Sequence, residues 1–151
     1  MTVYLGNQNL LHRYKIGFMS GSKTQALSVL PTIDWAKSVR GRDDVSIISG
    51  FHSSLEKEVL DILMNGACGL ILVLARGIYK RLPERYSKFF DENRLLVISN
   101  EREDRIRADR YSCRKRNDYI AEISDEIIIS SLSPNSSLLH FRENPKPTTI
   151  L

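Results

Sequence analysis

Four short segments of the sequence combine glycine, serine and a basic or amide side chain, the residue types that can hold a phosphate. They are Gly21-Ser22-Lys23, Ser49-Gly50, Arg116-Asn117 and Ser136-Ser137. Glycine lets backbone N–H groups approach an anion closely, hydroxyl and amide groups donate hydrogen bonds, and lysine or arginine neutralises the charge. Each segment alone is ordinary for a turn, and an arginine beside an asparagine could simply cap a helix. Together they predict a phosphate-binding site, provided that the fold brings them to one place.

Other catalytic and metal chemistries have little support in the sequence. The three histidines lack the spacing of a metal site, and there is no G-x-G-x-x-G, P-loop or G-x-S-x-G motif. Cys113 lies beside Arg114, but an incidental thiol is the simpler interpretation. Glu56 is a carboxylate near a candidate turn, and its spacing from Ser53 is typical of a helix cap. We therefore expect a binding protein rather than an enzyme, with no metal and no cofactor.

Five apolar runs predict the strands that must position these segments. They are residues 15–20, 45–49, 69–74, 95–99 and 126–130, with a weaker sixth run at residues 148–151. Their nearly unbroken apolar character is typical of strands buried on both faces of a sheet. In an open parallel sheet, ligands bind beyond the carboxyl ends of the strands, where the strand order reverses. Three of the candidate segments follow such runs, which favours one shared crevice over separate turns.

Helical patterns lie between the strands. Ser53 and Glu56 have the spacing of a capping box and predict a helix that begins there. Pro31 predicts the start of another helix that ends at Gly41. Residues 117–124 predict a further short helix. The alternation of strands and helices predicts an α/β, Rossmann-like, doubly wound and mostly parallel sheet.

Length and composition are those of one globular domain over residues 1–151. Hydrophobic residues make up 42% of the chain and charged residues 26%, which excludes disorder and a disulfide scaffold. No apolar stretch is long enough for a membrane span, and no signal peptide is visible. The two cysteines form no framework, so we expect a reducing, cytoplasmic location.

The net charge of +4 is unevenly distributed along the chain. Residues 1–33 contain no acid, residues 101–116 carry seven bases against four acids, and residues 117–151 are net negative by three charges. The two basic stretches could flank the predicted crevice and hold a phosphate backbone. A solvated loop with internal salt bridges explains residues 101–116 equally well, because the acids are interleaved with the bases.

Taken in order along the chain, these motifs resemble the Rossmann-like domain of the DprA/Smf family, the DNA-processing proteins of bacterial transformation. Residues 116–124 are similar to the family's Arg-Asn-Arg-Ile-Ile-Ala-Gly-Leu-Ser, which is the most specific match. Gly21-Ser22-Lys23 is similar to Gly-Ser-Arg, and weaker matches lie at residues 3–11, 48–50, 75–83 and 135–138. The resemblance extends from Val3 to Leu139.

The resemblance implies a protein that binds single-stranded DNA by its phosphates, forms a homodimer and delivers the recombinase RecA to that DNA, without catalysis. By position, it implies a ligand pocket of Gly21, Ser22, Lys23, Ser49, Gly50, Arg116, Asn117, Ser136 and Ser137. Lys23 replaces an arginine of the family, Ser136 replaces a glycine, and the arginine of the second turn is missing. The family's flanking helical and winged-helix domains have no counterpart in these residues, so RecA delivery is not expected of them.

Two alternatives belong to the same fold superfamily. LOG-type nucleotide phosphoribohydrolases have a similar architecture, but their P-G-G-x-G-T-x-x-E signature is absent here. A sensor of a small nucleotide would use the same crevice without catalysis. The sequence thus predicts binding of a phosphate-bearing, nucleotide-type ligand, with single-stranded DNA as the first candidate.

Overall fold

A seven-stranded sheet organises the chain in the computed structural model, which describes residues 1–151. In chain order the strands are β1 (Val3–Gly6), β2 (Tyr14–Ser20), β3 (Val45–Ser49), β4 (Gly69–Leu74), β5 (Leu95–Ser99), β6 (Glu126–Ser130) and β7 (Thr148–Ile150). Their spatial order is β1-β5-β4-β3-β2-β6-β7, and only β1 runs antiparallel to its neighbour. The predicted strands and the mostly parallel, doubly wound sheet are confirmed.

Four α-helices connect the strands. They are α1 (Ala26–Val39), α2 (Ser54–Met64), α3 (Ser87–Asp91) and α4 (Arg110–Ile123), with short 3-10 helices at Gln8–His12, Glu84–Tyr86 and Leu139–Glu143. The capping box at the start of α2 is confirmed, because Ser53 Oγ accepts the Glu56 N–H and the Glu56 carboxylate accepts the Ser53 N–H, both at 3.2 Å. None of the helices is both long enough and apolar enough to cross a membrane.

The predicted start of α1 was wrong. The helix begins at Ala26, so Pro31 lies inside it. A proline there leaves the carbonyl four residues earlier, at Leu27, without its helical partner. Leu27 is 93% exposed, so water can satisfy that carbonyl, while the opposite face packs Thr32 and Ala36 into the core. Packing of that face stabilises the helix on both sides of the proline.

The predicted start of α4 was also wrong, by about two turns. Asp109 and Ser112 cap each other: Asp109 Oδ1 accepts the Ser112 N–H at 2.7 Å, and Ser112 Oγ accepts the Asp109 N–H at 2.9 Å. These bonds satisfy backbone donors that the first turn cannot use. Arg116 and Asn117 therefore lie within the helix, and the interpretation of them as a cap is wrong.

Apolar layers cover both faces of the sheet. On one face α1, α2 and α3 contribute core residues such as Ala36, Leu60 and Phe89. On the other face α4 and the segment Leu139–Glu143 contribute Ile120 and Phe141. From β2 the strand order runs both ways, with β3, β4 and β5 on one side and β6 and β7 on the other. The strand order therefore reverses between β2 and β6, which is where the fold class predicts a ligand site.

Candidate functional site

A cleft of about 1090 Å³ lies beyond the carboxyl ends of β2, β3 and β6. Its lining comes from residues 20–23, residues 52–56, residues 131–141 and the first turns of α4. The turn after β2, the segment after β6 and the later part of the second turn, at His52 and Ser53, thus meet where the strand order reverses. The turn after β4, which begins the matched segment 75–83, does not line the cleft. Its Gly77 N–H donates to the Arg105 carbonyl at 2.7 Å.

Contacts between Gly21 and β6 fix the position of the first turn. The Gly21 N–H donates to the Ser130 carbonyl at 3.0 Å, and the Ser131 carbonyl leaves no room for a Cβ at Gly21. Ser131 has a left-handed φ of 53°, and its Oγ accepts the Gln25 N–H at 3.0 Å. These contacts hold the loop that presents Lys23 to the cleft.

Glu56 is the only carboxylate of the lining, and three backbone N–H groups hold it. Its Oε2 accepts from Ser20 at 2.9 Å, and its Oε1 accepts from His52 at 2.8 Å and Ser53 at 3.2 Å. The residue is only 6% exposed, and such hydrogen bonds offset the cost of burying a charge. Glu56 therefore joins the end of β2 to the start of α2. It also uses backbone donors that the second turn was expected to offer a phosphate.

Ser49 and Gly50 do not belong to the lining. The buried Ser49 Oγ accepts the Phe51 N–H at 3.2 Å. The Arg116 guanidinium covers Gly50 so closely that a Cβ there would lie 2.7 Å from Arg116 Cζ. Arg116 Nε also donates to Asn117 Oδ1 at 3.2 Å. A ligand in the cleft would meet Arg116 before it could reach Gly50.

The remaining predicted residues all line the cleft. They are Gly21, Ser22, Lys23, Arg116, Asn117, Ser136 and Ser137. On the wall after β6, Ser136 Oγ accepts the Leu138 N–H at 3.1 Å and the Ser136 N–H donates to the Ser133 carbonyl at 3.0 Å. These two bonds fold that wall into a tight turn, which leaves the exposed Ser137 side chain free to donate.

Four cationic side chains of the lining form no ion pair: Lys23, Arg110, Arg114 and Arg116. Arg102, Arg105 and Lys115 instead pair with acids of the same stretch, at N···O distances of 2.8 to 3.2 Å. The two interpretations of the basic stretch thus apply to different residues. Salt bridges neutralise much of the loop before α4, whereas the cleft side of α4 keeps its positive charge.

Arg110 and Arg114 belong to the basic stretch that the sequence placed beside the crevice, but they were not among the predicted site residues. They lie one helical turn apart, and Asn117 follows at the next turn, so all three share one face of α4. This spacing is visible in the sequence once the helix start is placed at Asp109. Cys113 lies on the same face of α4, and its thiol is free and half-exposed.

Comparisons with known proteins find the fold and no sequence relative. No family model matches the chain, and no curated protein matches it. DNA processing protein A from Helicobacter pylori, in a structure that concerns its single-stranded DNA binding mode, has a TM-score of 0.75 and 18% identity, over 99% of this chain and 70% of that one. DNA processing protein A (DprA) from Streptococcus pneumoniae has a TM-score of 0.76 and 16% identity, over 99% of this chain and 54% of its own. The chain spans about half of the S. pneumoniae structure, and it has the Rossmann-like fold of a DprA domain, as the resemblance in sequence predicted.

Proposed function

We propose that this chain binds single-stranded DNA through its phosphates in the cleft between the ends of β2 and β6. One observation carries the proposal: four cationic side chains without acidic partners converge there, against one carboxylate that is already held by three N–H groups. Such a surface attracts a polyanion. The DprA-like fold supports the same conclusion, since the H. pylori structure with that fold concerns single-stranded DNA binding.

The side chains of the lining divide into two roles. Lys23, Arg114 and Arg116 would neutralise phosphates, and the planar guanidinium groups would form paired hydrogen bonds with phosphate oxygens. Arg110 and Arg114 are about 6 Å apart along the axis of α4, so they present two positive charges in a row. Hydroxyl groups such as that of Ser137 would add neutral donors.

The test measures binding of a fluorescent oligothymidine at several salt concentrations. The logarithm of the binding constant should fall linearly with the logarithm of salt, by roughly 0.7 per phosphate contact in a single strand. Replacing Lys23 and Arg116 together by alanine should weaken binding and flatten that slope. Lys37→Ala, an exposed charge on α1 away from the cleft, is the matched control. A binding constant independent of salt, or a double variant that binds like wild type, would contradict the proposal.

Mononucleotides in the same series distinguish DNA from a small nucleotide. If a mononucleotide binds as tightly as the oligothymidine, a sensor of small nucleotides replaces the proposal. The phosphoribohydrolase alternative gains no support, because the backbone N–H groups that hold Glu56 give this carboxylate a structural task.

Homodimerisation and a reducing, cytoplasmic location complete the proposal. Two leucines of α1 are exposed, Leu27 at 93% and Leu30 at 66%. Ser28, between them, donates its Oγ hydrogen bond to the Leu151 carbonyl next to β7. β7 is the last strand of the sheet, and its outer edge is unpaired. Such an edge with apolar neighbours favours self-association. Sedimentation analysis of wild type and Leu27→Ser tests this proposed self-association.

A reducing, cytoplasmic location is proposed from the cysteines. Both are free, which fits a reducing compartment.

A further inference from the structure

Tyr111 is an exposed aromatic side chain on the helix that forms one wall of the cleft. It is 73% exposed, it belongs to neither apolar core layer, and its hydroxyl makes no hydrogen bond. Arg114 and Lys115 follow it by three and four residues on α4, so these cations are its neighbours on the helix surface. Nothing in the packing of the chain requires a ring at this position.

The only exposed rings of the cleft lining are the imidazoles of His52 and His140, so the cleft itself offers the bases of a nucleic acid little surface for stacking. Its lining is polar apart from Cys113, Leu138 and Phe141, and the last two are buried. The cationic side chains can hold phosphates, but most of the bases attached to them need further rings for stacking. Sites for single strands generally combine a positive groove with aromatic side chains on which bases stack.

His140, which lines the cleft together with Arg114, supplies a second ring. The His140 ring packs against the Phe141 ring at a tilt of 37°, with centroids 4.0 Å apart. Its Nε2 lies 3.6 Å from Asp118 Oδ1, one turn beyond Arg114 on α4. Arg114 and His140 also line a shallow groove that adjoins the cleft. Tyr111, Arg114 and His140 thus form a row of ring, cation and ring. The row follows α4 from residue 111 to residue 118, which is about 10 Å of helix.

We propose that a single strand leaves the cleft along this row, with a base stacked on Tyr111, a phosphate at Arg114 and a second base against His140. The inference rests on the proposed function and specifies its ligand: a strand with unpaired bases, rather than a duplex or an isolated phosphate. A duplex keeps its bases stacked on one another and has none to offer the ring of Tyr111. A row of rings separated by a cation matches a strand in which bases and phosphates alternate.

The test compares an oligothymidine with an abasic oligonucleotide of equal length and charge. Wild type should bind the oligothymidine more tightly, because only that strand can stack. Tyr111→Ala should lose about five- to hundredfold of the oligothymidine affinity, the range that stacking of one base contributes, and little of the abasic affinity. Tyr111→Phe keeps the ring and should bind like wild type. Tyr14→Ala is the matched control, since Tyr14 is 43% exposed and lies at the amino end of β2, opposite the cleft.

Tyr111→Trp provides a direct signal from the same position. Its emission should change when oligothymidine binds and stay constant with the abasic strand. The native Trp35 is partly buried, stacks on the core residue Phe18 with ring centroids 5.0 Å apart, and supplies a constant background. Because Tyr111 is exposed, these variants should fold like wild type, which circular dichroism checks.

Failure of this inference differs from failure of the proposed function. Salt-dependent binding that Tyr111→Ala leaves intact would overturn the stacking inference alone. An equal loss for both strands would also overturn it, because the ring would then act without a base. If wild type binds neither strand, the proposed function fails and the inference fails with it.

Discussion

The guanidinium group of Arg116 lies directly on the backbone of Gly50, so close that a single added methyl would come within 2.7 Å of its Cζ. The second turn therefore contributes to the cleft indirectly, because the Gly50 backbone provides a surface against which the Arg116 guanidinium packs. A guanidinium held against backbone on one side can direct its remaining donors only toward the cleft. Preorganisation of this kind lowers the entropic cost of binding.

Gly50→Ala should displace Arg116 and weaken oligonucleotide binding several-fold. The φ of Gly50 is not in the left-handed region, so the alanine should leave the free energy of unfolding unchanged or raise it by up to about 1 kcal/mol. Anisotropy titration and chemical denaturation measure the two effects. Gly41→Ala is the control, because nothing lies within 4 Å of a Cβ there. Unchanged affinity in Gly50→Ala would show that the contact between Arg116 and Gly50 does not contribute to oligonucleotide binding.

Arg114→Ala and Arg102→Ala should differ although both remove one arginine from the same basic stretch. Arg114 has no acidic partner in the cleft lining, whereas Arg102 pairs with Asp104 at 2.8 Å. We expect Arg114→Ala to weaken binding and to reduce the salt slope by roughly 0.7, the value of one phosphate contact. Arg102→Ala should change neither. Equal effects of the two variants would indicate that net charge matters and position does not.

Glu56→Gln should change stability and affinity in opposite directions. A glutamine has one acceptor oxygen where the carboxylate has two, so at least one of the backbone N–H groups at Ser20, His52 or Ser53 loses its partner. Such a loss costs about 1–3 kcal/mol of unfolding free energy. Binding at low salt should become tighter, because the only negative charge leaves the cleft lining. Glu58→Gln, on the exposed side of the same helix, should affect neither quantity.

The cap at the start of α4 should make stability depend on pH in the acid range. The Ser112 N–H, and then the Arg105 guanidinium, hold the pKa of Asp109 below its usual range. A lowered pKa in the folded state means a stabilising contribution that is complete above about pH 4, the usual value of an unfolded aspartate, and is lost as the pH falls. Asp109→Asn keeps the capping oxygen but not the charge.

Thermal unfolding at neutral and acid pH checks this expectation. Wild type should be more stable than Asp109→Asn at neutral pH, and the difference should narrow below about pH 4. Asp61→Asn, an exposed position on α2, controls for the general loss of a negative charge. A difference that stays constant with pH would contradict a role for the Asp109 charge.

The sequence predicted the sheet well because each internal strand is buried on both faces. Runs such as residues 69–74 and 95–99 contain almost no polar residue, so their limits in the sequence are nearly their limits in the structure. The first residues of the helices were harder to predict than the strands. α1 begins without a side-chain cap, and its interior Pro31 is a residue more typical of a first turn.

The sequence predicted the candidate site in outline. The error in that prediction came from a misplaced helix start, that of α4. Lys23 and Arg116 were identified by motif, but Arg110 and Arg114 were predicted only as members of a basic stretch, because α4 was placed too late in the chain. The reciprocal cap between Asp109 and Ser112 is less common than the Ser–Glu form that marked α2. No pattern in the sequence could show that Glu56 reaches the Ser20 N–H, since that contact depends on how α2 packs beside β2.

The pairing of β2 with β6 also governs when this molecule can act. Ser20 pairs with Ser130, so one edge of β2 stays open until more than a hundred further residues have been synthesised. β3, β4 and β5 can pair earlier along the other edge, in the order in which they leave the ribosome. Closing so long a loop is slow, so we expect the cleft to form late in folding. A nascent or partly folded chain would then hold no nucleic acid, and binding would itself report that the sheet is complete.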